Sequence, residues 1–298
     1  MSKRIKIGYF ADGPWSHRAF ELIVADPALE IKFIVPRKDT TDKVLREYAA
    51  QYHIDILDGI SVNSEDFYQQ ALNYECDLFV SMSYNQIFRE RITNLPPLGT
   101  INCHAGKLPF YRGRNILNWA LINDEKEFGI TVHYVDQSID TGDIVLQRTY
   151  SITETDDYAT LLSIAHLECA VILYDAIKLI QNEKVDRIKQ LSIHPVGSYF
   201  GVRKEGDEII DWRQTSREVF NFIRAICAPG PRARTFLNGQ EIFINKAATV
   251  AEAPVYKSIP GMITGISPRG YFVKTTDSII EIYEVESSAK IRVGDRFQ

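Results

Sequence analysis

Asn102, His104 and Asp140 carry side chains suited to moving an acyl group onto an amine. Attack of an amine on a carbonyl carbon develops negative charge on the oxygen, which an amide N–H donor such as Asn102 and a protonated imidazole such as His104 stabilise. The amine must lose a proton and the leaving nitrogen must gain one. His104 and Asp140, coupled directly or through water, can carry that proton, the carboxylate holding the imidazole and favouring its charged form. Each residue also has an ordinary reading on its own. A histidine at a strand end is commonly a satisfied structural group, asparagine before a turn is a turn former, and Asp140-Thr141-Gly142-Asp143 is a common loop sequence. Their joint spacing and setting favour the chemical reading.

Positioning such a set requires strands that end at one edge. Ile5–Phe10 reads as a first strand running through Ala11-Asp12-Gly13-Pro14-Trp15-Ser16 into a helix over 17–25. The pattern continues with a strand at 31–35, a helix over 40–52, a strand at 54–57, a helix over 64–74 and a strand at 77–81. Alternating strands and helices predict a mostly parallel sheet with helices on both faces, a Rossmann-like α/β domain. Gly99–His104 is a further strand, and ligands of such sheets bind beyond the carboxyl ends of the strands, where Asn102 and His104 fall. Ile130–Val135 and Ile144–Gln147 read as strands flanking the loop Ser138–Asp143, which brings Asp140 to the same edge. A helix over 156–182, with Thr155 as its N-cap, closes the catalytic domain, assigned to residues 1–183. A linker follows at 184–205. The texture then changes to short strands separated by turns at Asn238-Gly239, Pro260-Gly261 and Pro268-Arg269-Gly270, which predicts a small OB-like β-barrel domain over 206–298.

The run Asn102-Cys103-His104-Ala105-Gly106-Lys107-Leu108-Pro109-Phe110-Tyr111-Arg112-Gly113, with Ile139-Asp140-Thr141-Gly142-Asp143 after it, resembles the folate-dependent formyltransferase family. Glu208-Ile209-Ile210-Asp211-Trp212 and Pro260-Gly261-Met262-Ile263 extend the resemblance into that family's C-terminal domain. It implies formyl transfer from 10-formyltetrahydrofolate, with Asn102, His104 and Asp140 as the catalytic set and no metal. Tyr84, Asn85, Gln86 and Ile87 match the loop that meets the pterin ring through its backbone; an ordinary strand-to-helix connection remains the other reading. The first loop, with Gly13, Trp15 and Ser16, is where the family's acceptor lies, and a helix N-terminus there suits a phosphate.

The choice of acceptor rests on charge and on the motif's neighbours. The chain has 34 basic and 39 acidic residues, net −5, and residues 201–298 hold 14 Lys/Arg against 12 Asp/Glu. Holding a polynucleotide depends on Lys and Arg neutralising phosphates, so this balance disfavours nucleic acid. Lys107, Tyr111, Arg112, Arg114 and Asn115 place cationic and polar groups beside His104; Lys107 and Arg114 either meet a pyrophosphate or are solvated charges. This pattern is most like the branch of the family that formylates nucleotide-linked amino sugars, and similarity to it implies a homodimer. Methionyl-tRNA formylation is the alternative enzyme, and a non-catalytic folate or sugar-nucleotide binder the alternative of another class. Cys76, Cys103, Cys169 and Cys227 are scattered, as reduced thiols of a cytoplasmic protein would be. No signal peptide and no run near membrane length is expected. His17, His53, His133, His166 and His194 lack ligand spacing and are read as structural.

Overall fold

The computed structural model describes residues 4–59 and 61–298; Met1–Lys3 of the charged N-terminus and Ile60 lie outside the described residues. Alternation of strand and helix holds through the first two thirds of the chain: β1 (Ile5–Ala11), α1 (Pro14–Ala25), β2 (Leu29–Val35), α2 (Lys43–Tyr52), β3 (Asp55–Ile56), α3 (Glu65–Asn73) and β4 (Leu78–Met82). After them come α4 (Glu90–Thr93), β5 (Thr100–His104), β6 (Arg112–Gly113), α5 (Ile116–Ile122), β7 (Glu127–Tyr134), β8 (Ile144–Ser151) and α6 (Tyr158–Gln181). Pro14 supplies a pre-set φ at the start of α1, so that helix begins earlier than the expected residue 17. At the start of α6 the side chain of Asp157, not of Thr155, accepts the N–H of Thr160, at 3.1 Å.

The seven strands order as β3-β2-β1-β4-β5-β7-β8. Pairing is parallel from β3 to β5, and β7 runs antiparallel to β5. Strand order reverses between β1 and β4, the kind of switch beside which a ligand crevice opens at the carboxyl ends. Under β1 and β4 lies an aromatic cluster centred on Phe10, whose ring meets those of Phe33, Phe67, Phe79 and Phe88 edge-on. Offset and edge-on arrangements suit the quadrupoles of the rings, and this cluster fixes the strands that carry the loops above it.

By length and composition α6 is one helix apolar enough to cross a membrane, contrary to the expectation that no run came near that length. It is a core helix: Leu161, Ala165, Ala170, Ile172, Leu173, Ala176 and Ile177 are fully buried. Its polar positions are paired, Glu168 with Tyr150, Asp175 with Arg148 and Lys178 with Asp26. The recurring charges make an amphipathic stripe, which a lipid-facing helix would not carry.

Two compact units separate in the fold. The first comprises residues up to Gly113, Phe128–Tyr150 and Ser163–Tyr199; the second comprises Arg114–Glu127, Ser151–Leu162 and Phe200–Gln298. The segment 184–205, expected as a linker, contains α7 (Gln190–Ile193) and β9 (Tyr199–Phe200). In the second unit α8 (Ser216–Ile226) opens with a capping box in which Thr215 and Glu218 satisfy each other's backbone. It packs on α5, where the Asn118 amide donates to the carbonyl of Ala225. The strands β10 (Ala233–Leu237), β11 (Gln240–Thr249), β12 (Ile263–Ile266), β13 (Gly270–Lys274) and β14 (Ile279–Ser287) form an antiparallel sheet ordered β10-β11-β14-β13-β12. The Asn238-Gly239 turn joins β10 to β11 with φ of 51° and 78°, as a two-residue hairpin with the right twist demands.

Candidate active site

Register places the site. Asn102 on β5 pairs with Ser81 of β4 on one side and with His133 of β7 on the other. Directly opposed residues of adjacent strands point to the same face, so the antiparallel β5–β7 pairing brings His133 against Asn102. The Asn102 Nδ2 and His133 Nε2 atoms lie 3.3 Å apart.

Asp140 is the hub. Its Oδ2 accepts the N–H of Gly113 at 2.9 Å and lies 3.6 Å from His104 Nδ1, while its Oδ1 lies 3.4 Å from His133 Nε2. The side chains of His104 and Asp140 are 10% and 12% exposed, enough to meet a ligand while largely shielded from water. Burial alone pushes the Asp140 carboxyl up. The charges of His104 and His133 and the bonds from His133 and Gly113 outweigh it and hold the group well below the usual carboxylate range.

Carbonyl partners assign the protons on both rings. His104 Nε2 meets the Tyr111 carbonyl at 2.7 Å, and His133 Nδ1 meets the Tyr134 carbonyl at 2.8 Å. A carbonyl only accepts, so those nitrogens carry hydrogen, and the exchangeable proton of His104 belongs at Nδ1, facing Asp140. At 3.6 Å that contact is longer than a hydrogen bond and is an ion pair only while the imidazole is protonated. His133 Nε2 accepts from the Asn102 amide when the ring is neutral and donates to Asp140 when it is protonated. His133, read as structural from its lack of ligand spacing, lies within reach of both Asn102 and Asp140.

The loop after β7 is shaped for this purpose. Asp140 has φ 55°, and a Cβ on Gly142 would lie 1.8 Å from the Tyr134 carbonyl oxygen, so only glycine fits there. Gly106 has a comparable role. A Cβ there would sit 2.4 Å from both His104 Nε2 and the Tyr111 oxygen, wedged into their hydrogen bond. Gly106→Ala is expected to lower kcat at least tenfold, roughly the cost of a displaced catalytic group, and to lower Tm as overpacked sites do. Steady-state rates and thermal melts check this; a variant with wild-type turnover would show that the His104–Tyr111 bond is dispensable.

The other expected site residues separate into groups. Tyr84 packs its ring on Phe10 and Phe88, and its hydroxyl accepts from Gln86 Nε2 at 2.8 Å. Gln86 Oε1 accepts from the Val62 N–H, and Asn85 donates to Asp39. These side chains brace the loop; Ile87 is exposed, and its carbonyl accepts from Asn63 Nδ2 at 2.8 Å.

At the first loop a carboxylate stands where a phosphate was expected. The Gly13 N–H donates to Asp42 Oδ2 at 2.7 Å, His17 Nε2 lies 2.8 Å from the same oxygen, and Asp12 accepts from Thr40. Ser16 is fully buried, its hydroxyl donating to the Gly13 carbonyl. Ser16 is thus not available to an acceptor, and the amide that an anion would use is taken. Trp15 stands edge-on to His166, with centroids 4.4 Å apart.

Arg112, expected as a substrate contact, bonds within the protein, to Gln190 Oε1 from Nε and Nη2 and to the Val196 carbonyl from Nη1. Lys107 and Tyr111 are half-buried. Arg114 and Asn115 are exposed and belong to the second unit, where Asn115 Oδ1 accepts from the Arg203 N–H. Among the described residues no cluster of His, Cys, Asp and Glu has the makings of a metal site. Sequence reasoning missed His133, Gln190 and Asp42, none of which sits in a local motif; only the strand register and the loop packing bring them in.

Comparison with known proteins matches the chain in two consecutive parts. Residues 30–195 match the family model described as formyl transferase, and residues 203–295 match formyl transferase, C-terminal domain. The methionyl-tRNA formyltransferase of Pelotomaculum thermopropionicum is 31% identical over 87% of this chain and 82% of its own length. That of Alkaliphilus oremlandii is 34% identical over 85% and 80%. Among solved structures, an N-formyltransferase from Helicobacter canadensis, in complex with folinic acid and dTDP-3-aminofucose, superposes with a TM-score of 0.72 at 21% identity, over 95% of this chain and all of that one. WlaRD, a sugar 3N-formyl transferase, gives 0.70 at 22% over 97% and 99%. At these identities the structural likeness establishes the shared fold.

Proposed function

The chain belongs to the formyl transferase family, and on that premise we propose that it transfers the formyl group of 10-formyltetrahydrofolate to the amino group of a nucleotide-linked amino-deoxysugar, a precursor of surface glycans. The formyl donor supplies an electrophilic carbon carried on nitrogen. The donor set fits such a group: an amide, an imidazole and an ionised carboxylate are what acyl transfer to an amine asks for. Asn102 presents an N–H group to the oxygen on which charge develops, joined by His104 Nδ1–H once that nitrogen holds the amine's proton. His104 Nδ1, beside Asp140, takes the proton that the attacking amine gives up and returns it to the departing nitrogen. Asp140, held ionised by its surroundings, balances the imidazolium while the proton rests there. His133 Nε2 holds the Asn102 amide when the ring is neutral, or the second carboxylate oxygen when it is protonated.

The observation that carries the choice of acceptor is the pairing of cations in the second unit. Arg217 forks onto Asp124 and Glu154, Arg234 onto Glu208 and Glu241, and Arg232, Arg269 and Lys246 each meet a carboxylate. Cations already neutralised within the protein release few counterions from a polynucleotide, so they add little to its binding. A second reading, methionyl-tRNA formylation, is favoured by the names of the curated relatives at 31% and 34% identity. The direct test incubates the protein with 10-formyltetrahydrofolate and either nucleotide-linked amino sugars or methionyl-tRNA, with mass spectrometry of the products. Formylated sugar is expected, with turnover that falls little between 50 and 200 mM salt. Formylated methionyl-tRNA alone, with binding that weakens by roughly a thousandfold or more over that range, would overturn the sugar reading.

A further inference from the structure

The strap from Ile188 to Ser198 makes contacts that neither the motif nor the family match explains. Ile188 exchanges backbone hydrogen bonds with Ile144 of β8, at 2.9 and 3.1 Å, fixing the start of the strap just beyond the Asp140 loop. Two residues later Gln190, 2% exposed, sends its Nε2 to the carbonyls of Asp140 and Gly142, both at 2.8 Å. Its Oε1 accepts from Arg112 Nε at 3.1 Å and Nη2 at 2.8 Å. At the far end Ser198 accepts the Tyr111 N–H on its hydroxyl and the Arg112 N–H on its carbonyl, and its own N–H donates to Pro109. The strap therefore grips two loops. One carries Asp140; the other carries the Tyr111 carbonyl that fixes His104 and the Gly113 N–H that holds Asp140.

All four hydrogen-bonding positions of the Gln190 amide are used: two donors on the loop after β7 and two lone pairs on the guanidinium of the loop after β5. A buried amide so fully satisfied fixes the relative position of the groups it joins, since moving either loop leaves a polar group unpaired. We infer that Gln190 is a positioning residue for formyl transfer, setting the reach between His104 Nδ1 and the Asp140 carboxylate by clamping the backbone of Asp140 and Gly142 to Arg112. The inference rests on the reading of His104 and Asp140 as the proton-handling pair. It adds that their alignment is imposed from the strap, outside the sequence motif.

The experiment uses two variants of the full chain. Gln190→Met keeps the volume and removes every polar contact; Gln190→Glu keeps an acceptor for Arg112 and removes the donors to the Asp140 loop. Both are expected to lower kcat by about a hundredfold, the effect of roughly an ångström of misplacement, with KM for donor and acceptor within about threefold of wild type. Gln190→Glu should lower Tm less than Gln190→Met does, because Arg112 keeps its partner. Placed in an Asp140→Asn background, Gln190→Met should lower the residual rate no further, because its effect passes through that carboxylate. General damage to the fold would multiply the two losses and would overturn the inference. A crystal structure of Gln190→Met gives a readout that needs no turnover. The Asp140 carboxylate is expected out of reach of His104 and His133, and an unmoved carboxylate refutes the clamp. Absence of formyl transfer by the wild-type protein would instead sink the functional reading, and the structure of the variant would still decide the clamp.

Discussion

Asp140→Asn is expected to lower kcat by about a thousandfold while leaving binding of the folate donor within a few fold, the size of loss seen when a group that handles protons is removed. Asparagine preserves the shape of the side chain and can still accept the Gly113 N–H, so the loop should keep its path. The lost feature is the charge that faces His104 Nδ1 and His133 Nε2. The same substitution has a signature in stability. Asp140 is held below the usual carboxylate range in the folded protein, so its ionised form is favoured by folding. Such a group contributes stability that is fully present above its unfolded pKa, about 3.9, and is lost as pH falls through the lower folded value. Urea midpoints of wild type and variant should therefore keep a constant gap from pH 5 to 8 and converge below about pH 4. A gap unchanged at pH 3 would mean that the carboxylate is not held by those partners.

His104→Ala is expected to cost between about a thousandfold and ten-thousandfold in kcat, because it removes both a donor to the developing oxygen charge and the site where the amine's proton rests. Ligand binding should survive, as the ring is not needed to seat the donor. Isothermal titration with a non-reactive folate analogue, alongside single-turnover rates, separates the two effects. The double variant of His104 and Asp140 should be little slower than His104→Ala alone, since the residues act as one unit. Losses that multiply would mean that each works by itself, and turnover near wild type in His104→Ala would remove the imidazole from the reaction altogether.

Parts of this site were legible in the residues. Asn102 and His104 stand at the end of a short apolar strand, and Asp140 sits in a polar loop between two others, so local pattern alone puts them at the carboxyl edge of the sheet. Turns were equally legible where the chemistry is local, as at Asn238-Gly239, where two positive φ values need those residue types. Helix starts were less so. Pro14 and Asp157 begin α1 and α6 at positions that an apolar periodicity over 17–25 and 156–182 does not mark.

Ligand contacts predicted from charge fared differently, because a charge in a sequence carries no record of its partner. Arg112 reads as a substrate contact from its place beside His104, and its guanidinium bonds Gln190 and Val196; the helix start at Gly13 reads as a phosphate site, and its amide donates to Asp42. His133 reads as one more strand residue until β7 is known to run antiparallel to β5 in the register that sets it opposite Asn102. Slipping that register by one residue would turn the ring to the other face of the sheet.

By itself, then, the sequence determined the alternation of strands and helices and the second β unit, and it singled out Asn102, His104 and Asp140 as candidates, since these depend on periodicity and on residue type. Tertiary structure alone decided the rest: that His133 lies within reach of Asn102 and Asp140, that Gln190 bonds both loops, and that Arg217, Arg232, Arg234 and Arg269 of the second unit are already paired. Those are contacts between residues far apart along the chain, settled by strand register and by burial that obliges each polar group to find a partner.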